Sequence, residues 1–148
     1  MTDVNARVVE IARDWIGTPY QHQCATRHAG TDCLGLIRGI WGELYGPEPV
    51  EVPAYSADWG EPQHREVLWD AARRYLVEAT DRDPLPGEVL LFRMRERSIA
   101  KHLGIRAEQD GQPTVIHAYS GHCVVETPLG PAWQRRVVAR FRFPEDVS

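Results

Sequence analysis

The sequence has few cysteines, no long apolar run and no excess of basic residues, and each shortage excludes a class of protein. Its three cysteines are an odd number, so they cannot form a fully paired disulfide framework. No stretch approaches the roughly 20 apolar residues that span a bilayer. The formal net charge of −4 argues against nonspecific binding of nucleic acid, which needs a basic face. We therefore expect neither a membrane nor a nucleic acid as partner.

The N-terminal residues lack the features of a targeting segment. Residues 1–12 include acidic side chains and no continuous apolar run, unlike a secretory signal or a transit peptide. We expect synthesis in the cytoplasm, with any action elsewhere depending on another means of delivery. The length of 148 residues, with 43 % hydrophobic and 26 % charged residues, is typical of a soluble protein with one domain covering residues 1–148.

Apolar residues at helical spacing predict helices in the first half of the chain. The first covers residues 3–16, where Val4, Val8, Ile11 and Trp15 share one face. The second begins at residue 31 or 32 and ends at residue 46, and the third runs from about residue 63 to residue 79.

Short β-branched and aromatic runs separated by turn residues predict strands in the second half. These strands cover residues 89–92, 103–107, 115–119, 123–126 and 137–143. In the last of them, Ala139 and Phe141 alternate with Arg140 and Arg142, as in a strand with one buried face. Helices followed by strands predict the α+β class, with the helices packed on an antiparallel sheet of about five strands.

Three residues form a plausible nucleophile, general base and orienting group. Cys33 lies at the predicted start of the second helix, where free N–H groups and the helix dipole favour a thiolate. His102 begins a predicted strand and His117 lies on the next, so antiparallel pairing brings the two together. We expect a thiolate–imidazolium pair between Cys33 and His102, oriented by His117. Taken singly, each residue is also compatible with an ordinary structural role.

Four motifs occur in the order and approximate spacing of a known family. They are the segments WIGTPY at residues 15–20, TDCLGLI at 31–37, HLGI at 102–105 and IHA at 116–118. On these motifs, residues 8–143 resemble the NlpC/P60 cell-wall peptidases. The resemblance implies a papain-like fold and a peptidase without metal or cofactor. It implies cleavage in peptidoglycan stem peptides, commonly between γ-D-glutamate and a diamino acid.

The same resemblance implies roles for individual residues. Cys33 matches the nucleophile, His102 the base and His117 the third, orienting residue. Tyr20 matches a tyrosine that lines the site and helps to hold the oxyanion. Asp32 matches an acidic residue that in some members contacts the free amine of the stem. Leu34 stands at a substrate-binding position where many members have serine.

Two further segments resemble a subgroup of the family. Residues 32–39 and 53–59 look like those of short, single-domain members encoded by phages and gene transfer agents, which open the wall during DNA entry. The resemblance implies phage-like tail proteins as partners, in addition to the peptidoglycan stem. It also implies delivery by the tail and action in the periplasm of the target cell.

Three alternatives stay open from the residues alone. Cysteine and histidine serve any acyl transfer, so an amidase or acyltransferase acting on another substrate is compatible with the set. Tyr55 and Trp59 would suit a docking surface of a structural protein at a tail tip. The pairs His22/Cys24 and His122/Cys123 are thiol–imidazole pairs, but they lack the usual two-to-four-residue gap of zinc ligands, so no metal site is predicted.

Overall fold

The computed structural model describes residues 3–46, 66–80, 83–95, 97–118 and 122–145. Within these ranges, the elements follow one another along the chain as α1 (Asp3–Asp14), β1 (Ala25–Thr26), β2 (Gly30–Thr31), α2 (Cys33–Tyr45), α3 (Val67–Tyr75), β3 (Val77–Glu78), β4 (Val89–Phe92), β5 (His102–Gln109), β6 (Gln112–Ala118), β7 (Val124–Pro128), α4 (Pro131–Gln134) and β8 (Val137–Arg142). The predicted α+β class is confirmed.

One six-stranded sheet dominates the fold. Its strand order is β3-β8-β4-β5-β6-β7, and every neighbouring pair is antiparallel. A separate two-stranded ribbon, β1–β2, immediately precedes α2. The order places β5 and β6, which carry the two predicted catalytic histidines, side by side near the middle of the sheet.

The main core lies between one face of the sheet and helices α1 and α2. Val8, Ile11 and Trp15 supply the buried stripe of α1. The Trp15 indole N–H donates to Glu43 on α2, with 2.8 Å between Nε1 and Oε2. A side chain at Gly39 would have its Cβ 2.1 Å from the Trp15 ring, so only glycine lets the two helices approach this closely. This packing fixes α2 against α1.

A smaller core lies on the alternate positions of the same strands. Leu90 and Phe92 on β4 cluster there with Val115 and Leu129. His102 is registered directly opposite Phe92, and their ring centroids are 5.6 Å apart. Because side chains alternate along a strand, His102 is out of phase with Leu103 and joins this second cluster. The smaller core therefore forms one wall around the imidazole.

The predicted C-terminal end of the third helix, at residue 79, is wrong. The helix stops at Tyr75, and Val77–Glu78 instead forms the short edge strand β3, paired with β8. Pairing with a distant strand outweighed the local helical spacing there. This edge strand accounts for six strands rather than the five expected. The predicted start of the helix at residue 63 lies outside the described residues, as do residues 53–59, which include Tyr55 and Trp59.

Several predicted strand ends differ from the observed ones by one to three residues, and the predicted end at residue 119 lies outside the described residues. Val89–Phe92 is confirmed at both ends, and His102 opens β5 as expected. Across the described ranges, none of the helices is both long and apolar enough to cross a bilayer.

Candidate active site

The start of α2 is built around the carboxylate of Asp32. One oxygen accepts the backbone N–H of Gly35 at 2.7 Å, which is the capping bond expected of an N-cap aspartate. The other oxygen accepts the backbone N–H of Gln23 at 2.7 Å. His22 places Nδ1 3.8 Å from the same oxygen. Asp32 is 3 % exposed, so it joins the preceding loop to the helix from inside the protein.

Gly35 makes that junction possible. A Cβ at this position would lie 1.9 Å from the Cys24 carbonyl oxygen and 2.5 Å from the Thr31 hydroxyl. Neither group is the free end of a flexible side chain, so any larger residue would push the loop away from the helix. Steric crowding therefore explains why the Asp-Cys-x-Gly motif has glycine at position 35.

The Cys33 sulfur lies against the beginning of β5. It is 3.7 Å from the carbonyl oxygen of Lys101, and the Leu103 backbone N–H also hydrogen-bonds to it. The registered pairing of β5 with β6 ends at Ile105 and Ile116, although both strands continue beyond these residues. The backbone of β5 beside the thiol is therefore available to contact α2.

The two histidines contact each other directly. Nε2 of His102 lies 2.8 Å from Nδ1 of His117, and the imidazoles meet at 67°. Both residues are buried, with 7 % and 2 % of their surface exposed. On the far side, Nε2 of His117 lies 3.4 Å from the Thr127 hydroxyl on β7. His102 is the residue between the two backbone groups that the sulfur contacts, so the thiol lies beside the backbone of His102, while the two imidazoles contact each other.

Burial sets the charge state of these groups. Desolvation, followed by the nearby charge of Asp32, raises the pKa of Cys33 to about 12. Backbone N–H groups at Leu103, Leu34 and Cys33 itself lower this pKa, but by less than burial raises it. The helix start thus lowers the pKa of Cys33 as expected, but burial raises this pKa by more.

Burial lowers the pKa values of the two histidines, because it disfavours their charged form. Desolvation, followed by the neighbouring His117, lowers the pKa of His102 to about 3. Desolvation lowers the pKa of His117 to about 4. These directions favour a neutral Cys33 thiol and neutral imidazoles near pH 7, rather than the expected thiolate–imidazolium pair.

Tyr20 and Leu34 border the same helix start. Tyr20 is half-buried and bridges to Thr31 immediately before the cap. Burial, then the charges of Cys33 and Asp32, raise the pKa of the Tyr20 phenol. Tyr20 therefore keeps its proton and can act as a hydrogen-bond donor. The half-buried Leu34 packs on the main core.

Three further residues surround the histidines, and none of them was predicted from the sequence. Thr127 reaches His117 from β7, Phe92 packs on His102, and Trp133 contacts both rings. Strand alternation alone places Thr127 on the side of the sheet that carries Val125, which is registered opposite His117. The Gly130-Pro131 pair could have indicated a short helix carrying Trp133, because proline favours the first helical position.

The metal alternative finds no support in the described part of the chain. No three histidine, cysteine, aspartate or glutamate side chains there are grouped so that they could hold a metal ion. The three cysteines are free, so Cys24 and Cys123 are not bonded to each other.

The family comparison agrees with this geometry. The model of the NlpC/P60 family matches residues 17–142, which include the helix start, both histidines and most of the sheet. The chain belongs to the NlpC/P60 family. Members of this family are typically cysteine peptidases that hydrolyse peptidoglycan. A search of curated proteins found no match.

Three solved structures share the fold. An NlpC/P60 family protein from Bacillus cereus has a TM-score of 0.64 and 19 % identity, covering 97 % of this chain and 41 % of its own. A lipoprotein-like NLP/P60 protein from Staphylococcus aureus has a TM-score of 0.60 and 16 % identity, covering 95 % and 41 %. The NlpC/p60 domain of the peptidoglycan hydrolase SagA has a TM-score of 0.59 and 18 % identity, covering 94 % and 98 %. This chain thus spans less than half of two of these proteins, and the three similarities show the fold alone.

Proposed function

We propose that this chain is a cysteine peptidase that hydrolyses amide bonds in peptidoglycan stem peptides. Cys33 is the nucleophile, His102 the general base and His117 the residue that orients it. One observation carries the proposal: the Cys33 sulfur lies against the backbone on both sides of His102, whose ring is 2.8 Å from that of His117. Acyl transfer needs a nucleophile next to a general base, and a third group that orients the base.

The hydrogen bonds favour one set of tautomers for this role. A base needs a free lone pair on the nitrogen that faces the thiol, which leaves the proton on the other nitrogen. With the proton of His102 on Nε2, this N–H donates to Nδ1 of His117. His117 then carries its proton on Nε2 and donates to the Thr127 hydroxyl. The chain of bonds thereby holds Nδ1 of His102 ready to accept a proton.

The neutral pair indicates when the proton moves. His102 takes the thiol proton as the sulfur attacks the scissile carbonyl, rather than beforehand. The resulting oxyanion accepts hydrogen bonds from the Cys33 backbone N–H and the Tyr20 hydroxyl. His102 then protonates the departing amine, which leaves an acyl-enzyme. A water molecule deprotonated by His102 releases the acyl group as a carboxylic acid and restores the thiol.

The finer assignments rest on the resemblance of the motifs. The bond is the one between γ-D-glutamate and the diamino acid, and the enzyme is delivered by a phage or gene-transfer-agent tail to the periplasm of the target cell. Tyr20 and Leu34 line the substrate side, whereas the predicted substrate contact of Asp32 is replaced by its role as the buried helix cap. The absence of serine after the nucleophile and the internal hydrogen bonds of both Asp32 oxygens favour substrates without a free terminal amine.

Digestion of purified peptidoglycan tests the function directly. The products of wall sacculi and of soluble stem peptides are separated and identified by mass spectrometry. We expect paired fragments, one ending in D-glutamate with a free γ-carboxyl and one beginning with the amine of the diamino acid. Failure to cleave either substrate would contradict the proposal, and transfer of an acyl group to an added amine without hydrolysis would support the acyltransferase alternative.

Tyr20→Phe tests the second oxyanion donor. Loss of one such donor lowers kcat by about 10²–10³-fold in other enzymes, equal to about 3–4 kcal/mol of barrier. We expect a fall of this size in kcat with KM little changed, because the phenyl ring preserves the packing. The matched control is Tyr75→Phe, which removes a tyrosine hydroxyl at the end of α3. Near-normal activity of Tyr20→Phe would remove Tyr20 from the mechanism.

A further inference from the structure

Trp133 contacts both histidines of the site from a separate part of the chain. Its ring centroid lies 5.2 Å from that of His117 at 88°, and 6.0 Å from that of His102 at 42°. The perpendicular arrangement with His117 is a favourable edge-to-face contact. Phe92 completes the cluster, 5.3 Å from Trp133 and 5.6 Å from His102.

The backbone around Trp133 holds the ring in place. Helix α4 is a single turn with Pro131 at its start, and the Gln134 side chain donates to the Leu129 carbonyl at 2.7 Å. Leu129 is itself buried in the smaller core. The guanidinium of Arg136 lies over the indole, 5.5 Å from its centroid. The indole is thus anchored by its own turn and stacked under a cation.

We propose that Trp133 is a positioning residue that holds the His102–His117 hydrogen bond in register and keeps water away from both imidazoles. The catalytic consequence rests on the proposed function, whereas the packing role does not. Without the indole, both rings would gain space to rotate, and solvent would reach their nitrogens. A base displaced by about 1 Å can lose about 10²-fold in rate.

The guanidinium of Arg136 is a charged group beside the aromatic cluster. Helix α2 carries the Cys33 thiol at its start with Asp32 as its cap, and the segment after α4 places Arg136 over the indole. From β4 and β7, the facing residues Phe92 and Thr127 are uncharged. Burial is the largest cause of the low pKa of both histidines, so removal of an apolar cover is expected to move both values upwards.

Titration of the histidine side chains by NMR tests the positioning role without any substrate. In the wild type, we expect His102 and His117 to titrate far below the ordinary value of about 6.5. In Trp133→Ala, we expect both pKa values to rise by about one unit or more and the tautomers to become mixed, as nitrogen chemical shifts report. Trp133→Phe keeps an aromatic cover and should behave almost as the wild type.

The matched control is Trp69→Ala on α3. Trp69 is also half-buried beneath an arginine, Arg73, but it lies on another element. Its loss should leave both histidine titrations unchanged. If Trp133→Ala does not fold, Trp133→Leu supplies a smaller apolar side chain for the same measurement. Unchanged titrations and tautomers in the folded variant would overturn the proposal.

Kinetics separate this proposal from the proposed function. In Trp133→Ala, we expect kcat to fall by about 10–100-fold with little change in KM, and the acid limb of the kcat/KM profile to move to higher pH. Shifted titrations in a chain that cleaves no peptidoglycan would retain the positioning role and reject the peptidase. If the wild type cleaves peptidoglycan but Trp133→Ala leaves both histidine titrations unshifted, the peptidase is retained and the positioning role is rejected.

Discussion

Replacing Cys33 with alanine is expected to lower the turnover of peptidoglycan stems by about 10⁴-fold or more, because no other group can form the acyl-enzyme. Alanine suits the first turn of a helix, and the lost sulfur contacts are weak ones, with the Lys101 carbonyl at 3.7 Å and the Leu103 backbone N–H. The melting temperature should therefore change by no more than about 3 °C, which corresponds to about 1 kcal/mol in a domain of this size. Fragment analysis and a melting curve measure the two effects.

Cys24→Ala is the matched control for the loss of a thiol. Cys24 is half-buried like Cys33, and its sulfur lies 3.5 Å from the Gln21 amide oxygen rather than against β5. We expect full activity from this variant. Cys33→Ala should still bind sacculi in a sedimentation assay, which would separate loss of chemistry from loss of recognition. Substantial turnover by Cys33→Ala would assign the nucleophile elsewhere.

Replacing His102 with glutamine is expected to lower kcat/KM by about 10²–10⁴-fold, the usual contribution of a general base. Glutamine is of similar size and retains a donor for His117, so the fold should persist. Without the base, only the ionised thiol can attack. Since burial raises the pKa of Cys33 to about 12, the residual rate should rise by about tenfold for each pH unit between neutral and alkaline pH.

The wild type should behave differently over the same range. Its base is already neutral above pH 4, because the pKa of His102 is lowered to about 3. Its rate should therefore be nearly constant through neutral pH. His28→Asn provides the control: His28 is an exposed histidine with a positive φ of 69°, which asparagine tolerates. A flat pH profile in His102→Gln would mean that a different group accepts the thiol proton.

Much of the framework around the site could be predicted from local patterns. Asp32 as cap, Cys33 as first helical residue and Gly46 as the end of α2 follow from capping preferences that depend on a few neighbouring residues. The pairing of the strands bearing His102 and His117 also follows, because a tight turn at Asp110-Gly111 favours a hairpin.

Local sequence patterns could not predict features that depend on contacts between distant parts of the chain. Val77 continues a helical spacing, and only β8 makes it a strand. Trp133 lies 16 residues beyond His117 in the sequence, and only the return of the chain after β7 brings it to the imidazoles. The charge state of Cys33 depends on how much protein surrounds the thiol, whereas its position at a helix start indicates only the weaker, opposing effect.

The protonated state of Cys33 has a consequence for the lifetime of the enzyme. Peroxide and alkylating agents react with thiolates, and the burial that raises the pKa of Cys33 to about 12 keeps the thiolate scarce near neutral pH. In the proposed mechanism, the sulfur becomes strongly nucleophilic only as His102 removes its proton during attack on a bound carbonyl. A thiol that stays protonated until substrate binds is expected to resist oxidation to a sulfenic acid in an oxidising compartment.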